Sequence, residues 1–200
     1  MAASPRPNVT EIILDLDKLV YGGAALGRSP DGRAVFVPFG LPGERVRVRP
    51  VEEKRRFVRA ELLEVLEASP QRIAPQCRHF GACGGCHYQH LPYEGQVSAK
   101  VEILRDQLQR IGKITDPPVE PMVPCPHPWN YRNHVQFHLT AGGRLGYVRA
   151  GISANEEDPS GKDVLPISEC HRAGRDVEPA NRCLRNGKKL CGSRRNCRDA

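Results

Sequence analysis

Ile12, Leu14 and Leu16 alternate with Ile13, Asp15 and Asp17, a period of two that sends successive side chains to opposite faces of a strand. Gly22-Gly23 then turns the chain. A second β-rich run, residues 34–37, is bounded by Asp31-Gly32 before it and by Pro38, Gly40 and Pro42-Gly43 after it. Residues 44–49 alternate strictly, with Val46 and Val48 on one face and Arg45, Arg47 and Arg49 on the other, which predicts one buried and one cationic face. A charged turn at residues 52–56 leads into residues 57–66, whose alternation slips at Leu62-Leu63; a β-bulge fits the slip, and a short helix fits the last part equally. Several short, turn-punctuated strands predict a closed OB-like barrel, since closure removes exposed sheet edges.

The pattern then changes period. Val97, Val101, Leu104, Leu108 and Ile111 fall at steps of three or four, an amphipathic helix whose stripe packs on a core and whose C-terminal cap is Gly112. Asp116-Pro117-Pro118 ends it and starts a linker. Val135, Phe137 and Leu139 alternate with His134, Gln136 and His138, the turn at residues 141–144 reverses the chain, and residues 145–149 return as a hairpin partner. His134 and His138 share a face of that strand, where a surface or RNA-facing role fits better than metal ligation. Residues 151–162 read as an exposed loop, and residues 164–167 deliver Cys170. The class is α+β: a small all-β barrel, a cysteine-bearing loop, one amphipathic helix and the start of a β-rich section, ending in a basic tail with no period.

Composition narrows the setting. With 200 residues the chain has room for one large or two small domains, and 19 glycines with 18 prolines predict short elements and many turns. The N-terminus lacks the basic-then-apolar order of a secretory signal, and no run approaches the roughly 18 apolar residues of a membrane span. A cytoplasmic protein without membrane association is expected, in which eight cysteines serve as metal ligands or thiols. The net charge of +7 is misleading as a sign of nucleic-acid binding, because residues 171–200 hold nine Arg or Lys against three acidic residues and the remainder holds 21 against 20. Any RNA surface has to be local. The densest patch is Arg45, Arg47, Arg49, Lys54, Arg55, Arg56 and Arg59 against Glu52 and Glu53, although a solvated charged face reads the same way.

The candidate chemistry lies between residues 75 and 93. Cys77, Cys83 and Cys86 are separated by five and two residues, with glycines where the backbone must fold tightly, and Cys170 is the plausible fourth donor. Four thiolates suit tetrahedral zinc or an iron–sulfur cluster, and three ligands in one loop with a remote fourth is the commoner pattern for four irons. Cys83-Gly-Gly-Cys86-His87 also matches c-type haem attachment, which leaves Cys77 unexplained and needs an export signal. Ordinary buried cysteines are the remaining reading. Cys125, between two prolines and without an adjacent base, reads as a passive thiol, and Cys183, Cys191 and Cys197 lack knuckle spacing for a second metal site.

Taken together, the barrel, the run from Ser69 through Cys77, Cys83 and Cys86, then Gln89-His90, the helix, a strand at residues 129–133 and Pro166-Ile-Ser-Glu-Cys170 resemble the RNA uracil-5-methyltransferases. The branch with an N-terminal TRAM domain and a 4Fe-4S cluster, typified by the 23S ribosomal RNA enzymes, is the nearest. The likeness covers roughly residues 10–171, with His87 a departure at a non-ligand position. It implies that Cys77, Cys83, Cys86 and Cys170 hold the cluster, and that the TRAM barrel and the section from Tyr131 onward, including Arg132 and Asn133, contact RNA. It divides the chain into a flexible start at 1–9, the barrel at 10–67, the cysteine loop at 68–92, a helix with a partial RNA-binding domain at 93–170, and a divergent, disordered tail at 171–200. The family moves a methyl group from S-adenosylmethionine to carbon 5 of a uridine, a cysteine thiolate adding at carbon 6 after the base is flipped out. That machinery belongs to a C-terminal Rossmann-like domain whose pattern does not occur here, so catalysis is not expected from this chain alone, and a frameshift after His171 is one account of the tail. The alternatives are a stand-alone RNA-binding iron–sulfur or zinc module and, less similar, a radical methylthiotransferase.

Overall fold

The computed structural model describes residues 10–140, 142–151 and 163–173. The start at 1–9, most of the loop at 151–162 and the tail from 174 on, with Cys183, Cys191 and Cys197, lie outside the described residues. The chain divides into two compact units, one holding Met1–Pro75 and His87–Val123, the other Gln76–Cys86 and Pro124–Ala200.

Five strands make the core of the first unit: β1 (Ile12–Leu19), β2 (Ala24–Arg28), β3 (Ala34–Pro38), β4 (Arg45–Glu53) and β5 (Phe57–Glu67). They close into a barrel in the order β1-β2-β3-β5-β4, antiparallel throughout except for the β3–β5 seam. The alternation read from the sequence is the alternation of the barrel wall. Leu14, Leu16, Val35, Val37, Val46, Val48 and Val58 point inward and are buried, while Asp15, Asp17 and Arg45 face water.

The sequence pattern missed β2. Its Ala-Ala-Leu-Gly-Arg has no β-branched or aromatic residue, and its conformation is imposed by pairing on both sides, with Ala25 opposite Val37 on β3 and opposite Leu19 on β1. Gly27 fits because a Cβ there would lie 2.4 Å from the Asp15 carbonyl oxygen. The slip at Leu62-Leu63 is a bulge: Val48 pairs with Leu62 and Arg47 with Glu64, leaving Leu63 unmatched. The same happens at Leu66 and, on the opposite strand, at Val51. Three bulges along one strand pair supply the bending that a small barrel needs to close. β4 also runs through Glu53, so Glu52 and Glu53 belong to the strand rather than to the turn.

The segment leaving the barrel is fastened to it by a buried charge. Glu44 is fully buried and its carboxylate accepts hydrogen bonds from the Leu41 N–H at 2.8 Å, from the Ser69 N–H at 3.3 Å and from both Nε and Nη2 of Arg72. Arg72 Nη2 also donates to the Phe39 carbonyl at 2.7 Å. Every carboxylate lone pair facing the interior is therefore used.

Helix α1 (Tyr93–Arg110) packs on this unit through a face different from the one its apolar stripe predicts. Ala99 is buried, Ile103 packs against the barrel core, and Asp106 receives Lys18 at 2.6 Å, whereas Leu104 is 48% and Ile111 70% exposed. A small residue lets the helix backbone approach the barrel closely, and that approach outweighs the larger stripe. The expected cap also moves: the left-handed residue at the helix end is Lys113, with φ 58°, and not Gly112. No helix among the described residues is long and apolar enough to cross a membrane.

In the second unit, β6 (His138–Leu139), β7 (Leu145–Val148) and β8 (Val164–Pro166) form an antiparallel sheet in that order. The strand expected over residues 135–139 is paired only at its last two positions. Residues 129–133 are not a strand: Asn130 turns into the left-handed region at φ 55°, and a single bridge joins Arg132 to Ala173. Residues 171–173 remain part of this fold, since the Asn130 and Arg132 N–H groups donate to the His171 and Arg172 carbonyls.

Candidate metal centre and cationic surface

The cysteine loop is shaped by its glycines and by the end of β7. Within it, the Phe80 N–H donates to the Cys77 carbonyl at 3.0 Å and the Cys83 N–H to the His79 carbonyl at 2.8 Å, two turns that curl the chain, and Gly81 takes φ 88°. The loop then lies along the strand end, with Gly84 N–H donating to Val148 O and Ala150 N–H to Ala82 O, both at 2.9 Å, and Cys83 bridging Arg149. A Cβ at position 84 would sit 2.7 Å from the Val148 carbonyl oxygen, which is why this approach requires glycine.

All four predicted ligands fall in this one unit as half-buried thiols. Burial pushes the Cys77 and Cys83 thiols up, and neighbouring groups add to it: Cys86, Glu169 and Cys170 for Cys77, and Cys86, Cys170 and Cys77 for Cys83. Cys77, Cys83, Cys86 and Cys170 are thus electrostatic neighbours. Among the described residues, no three His, Cys, Asp or Glu side chains gather closely enough to hold a single metal ion.

The surroundings suit an anionic, sulfur-ligated group. The Gly85 N–H donates to Cys83 Sγ at 3.4 Å, Arg172 Nη1 donates to Cys86 Sγ at 3.8 Å, and the Tyr147 hydroxyl lies 4.0 Å from Cys170 Sγ. Burial, and then Cys170, keeps that hydroxyl protonated by pushing its pKa up. Arg172 Nε is buried without a hydrogen-bond partner among the described residues, so the guanidinium has donor capacity left over beside the thiols. Hydrogen-bonding groups thus stand beside the sulfurs of Cys83, Cys86 and Cys170, an arrangement that could support thiolate ligands. Sequence reasoning named the four cysteines but not Tyr147 or Arg172, because neither has a spacing signature.

The other candidates separate. Cys125 is exposed, its thiol donating to the His127 carbonyl at 3.2 Å. His134 is exposed and outside any strand, and His138 is half-buried in β6. The arginine row on β4 is largely neutralised across the sheet: Arg47 meets Glu64 at 3.3 Å and Arg49 meets Glu61 at 2.6 Å. Glu52 lies between Lys54 at 3.2 Å and Arg59 at 3.5 Å, and Arg59 also stands over the Phe57 ring. Arg45, Arg55 and Arg56 are exposed and make no ion pair among the described residues. In the second unit Tyr131 is 53% exposed with the Arg132 guanidinium 5.8 Å from its ring centroid, and Asn133 is exposed.

Residues 9–63 match the TRAM domain family. A protein named as an uncharacterized RNA methyltransferase of Aquifex aeolicus is 40% identical over 157 residues, covering 78% of this chain and 34% of that protein. The 23S rRNA (uracil(1939)-C(5))-methyltransferase RlmD of Xylella fastidiosa is 39% identical over 173 residues, covering 86% and 38%. Among solved structures, the Pyrococcus abyssi tRNA (uracil-54, C5)-methyltransferase in complex with S-adenosyl-L-homocysteine matches with a TM-score of 0.55 at 24% identity, over 86% of this chain and 36% of that one, a likeness of fold. The chain spans about a third of the length of the curated relatives it matches. The chain thus carries a TRAM domain and is similar, over most of its own length, to part of proteins named as RNA methyltransferases.

Proposed function

We propose that this chain is the RNA-binding, iron–sulfur portion of an S-adenosylmethionine-dependent 23S rRNA (uracil-C5)-methyltransferase that works in the cytoplasm. The observation that carries this reading is identity near 40% to RNA methyltransferases over more than three quarters of the chain, a stretch long enough that it must include the cysteine loop, beside the TRAM match at residues 9–63. The name of the Xylella relative points to 23S rRNA and to uracil carbon 5. S-adenosyl-L-homocysteine in the Pyrococcus complex points to S-adenosylmethionine as methyl donor.

Cys77, Cys83, Cys86 and Cys170 would hold a 4Fe-4S cluster. Three cysteines in one loop with a remote fourth is a ligand pattern commoner for a four-iron cluster than for zinc, which is usually held by paired Cys-x2-Cys knuckles. Once bound, the cluster would cross-link the loop to the segment after β8. RNA would meet the unpaired cations Arg45, Arg55 and Arg56, with Tyr131, Arg132 and Asn133 supplying a stacking and hydrogen-bonding surface in the second unit.

Anaerobic purification of the full chain followed by iron and acid-labile sulfide assay tests the metal, and binding of a 23S rRNA fragment at several salt concentrations tests the partner. Iron with equimolar sulfide and salt-sensitive binding are expected. Zinc without sulfide overturns the cluster, and salt-independent or absent binding overturns the RNA reading.

A further inference from the structure

The three-cysteine loop and Cys170 are 84 or more residues apart in sequence, and the adjacent side chains of Arg78 and His79 both reach from the loop to the segment before Cys170. His79, two residues after Cys77, accepts a hydrogen bond at Nε2 from the Ser168 backbone N–H at 3.2 Å, two residues before Cys170. The Ser168 hydroxyl lies 3.2 Å from the same nitrogen and accepts in turn from Arg78 Nη2. A backbone N–H can only donate, so Nε2 accepts and the imidazole is the neutral form protonated at Nδ1. Next to this, Arg78 Nε reaches Glu169 at 3.6 Å. Both ends of the contact are anchored: the His79 carbonyl closes the turn to Cys83, and buried Ile167 donates its N–H to the Leu145 carbonyl.

We infer that His79 is a positioning residue for the metal centre, holding the Cys170 segment in register with the loop so that the fourth iron keeps its protein ligand. This rests on the cluster reading above. Losing the contact lets residues 168–170 swing on their β8 anchor while Cys77, Cys83 and Cys86 stay in place, and a cluster with three secure ligands sheds the iron whose ligand is loose.

The test uses the anaerobically purified full chain and reads iron and sulfide per chain together with the electron paramagnetic resonance spectrum after mild oxidation. Wild type and Ser168→Ala, which leaves the backbone N–H in place, should keep four irons. His79→Leu should fall to three irons with the signal of a three-iron cluster, matching Cys170→Ala, and His79→Gln, whose amide oxygen can accept the same bond, should restore the fourth. If His79→Leu fails to fold, Ser168→Pro removes the same N–H from the other side and carries the same expectation. A His79→Leu protein with wild-type iron and no three-iron signal overturns the inference while leaving the cluster standing. A wild-type chain without iron and sulfide overturns the cluster reading itself.

Discussion

Single residues at the mouth of the barrel set how this chain responds to acid. Burial alone would push Glu44 up, but the Arg72 guanidinium and the Leu41 and Ser69 N–H groups outweigh it and hold its carboxyl below the usual glutamate value. His90, fully buried beside the Gly40 carbonyl, is pushed down to about 4, chiefly by burial. Both groups have folded-state pKa values below their unfolded ones. The unfolded chain therefore binds the extra protons, and the stability these groups confer is present above their unfolded values and lost as pH falls. For His90 the window runs from its ordinary 6.5 down to about 4, so urea midpoints should fall steadily across it. Glu44→Ala should cost about 3–5 kcal/mol in urea unfolding, because it strands the Arg72 charge against the Phe39 carbonyl with nothing to neutralise it. In that variant the acid-labile contribution of Glu44 disappears while that of His90 persists. Nothing in the sequence marks Glu44 as buried, since it sits beside a row of surface arginines and reads as one more solvated charge.

At the scale of elements, the period-two strands were legible because their inward residues are Val, Leu and Ile, whose burial needs no partner information. β2 was not, because alanine and glycine carry no period of their own and take their conformation from β1 and β3. The helix shows the opposite failure. Its stripe was visible, yet the packed face runs through Ala99, Ile103 and Asp106, a choice made by the shape of the barrel and by Lys18. Ala99→Leu should therefore cost about 1–3 kcal/mol by overpacking, while Leu104→Ser should change stability by no more than about 0.5 kcal/mol, both read by denaturant unfolding. In the second unit, Gly84→Ala places a methyl group against the Val148 carbonyl and should lift the cysteine loop off β7, lowering thermal stability by about 1–3 kcal/mol. The sequence announced the glycines of that loop but not what each one touches.

For the molecule as a whole, charge was the least legible property. The count of +7 is weighted toward residues 171–200, and the arginine row that looked cationic in sequence faces glutamates one strand away, a pairing fixed by the β4–β5 register. Paired cations release fewer counterions on binding RNA than free ones. Arg55→Ala and Arg56→Ala should each reduce the slope of log affinity against log salt for a 23S rRNA fragment by about 0.7–1, whereas Arg49→Ala, which also frees Glu61, should change it by less than half that. The four cysteines could be grouped from residue type and spacing alone; the contacts of Arg172 with Cys86 and of His79 with Ser168 could not, because separations of 86 and 89 residues leave no local trace.

The division of the chain also imposes an order in time. Residues 76–86 leave the first unit, residues 87–123 return to it, and the chain re-enters the second unit only from residue 124, so no single cut separates the two. On a ribosome adding about 5–20 residues per second, Ser168 emerges roughly 4–18 s after His79. Through that interval three thiols are presented without the fourth, and the nascent loop is open to oxidants and to any soft metal ion nearby. A metal held by all four thiols would gain its last ligand only after β8 has been synthesised.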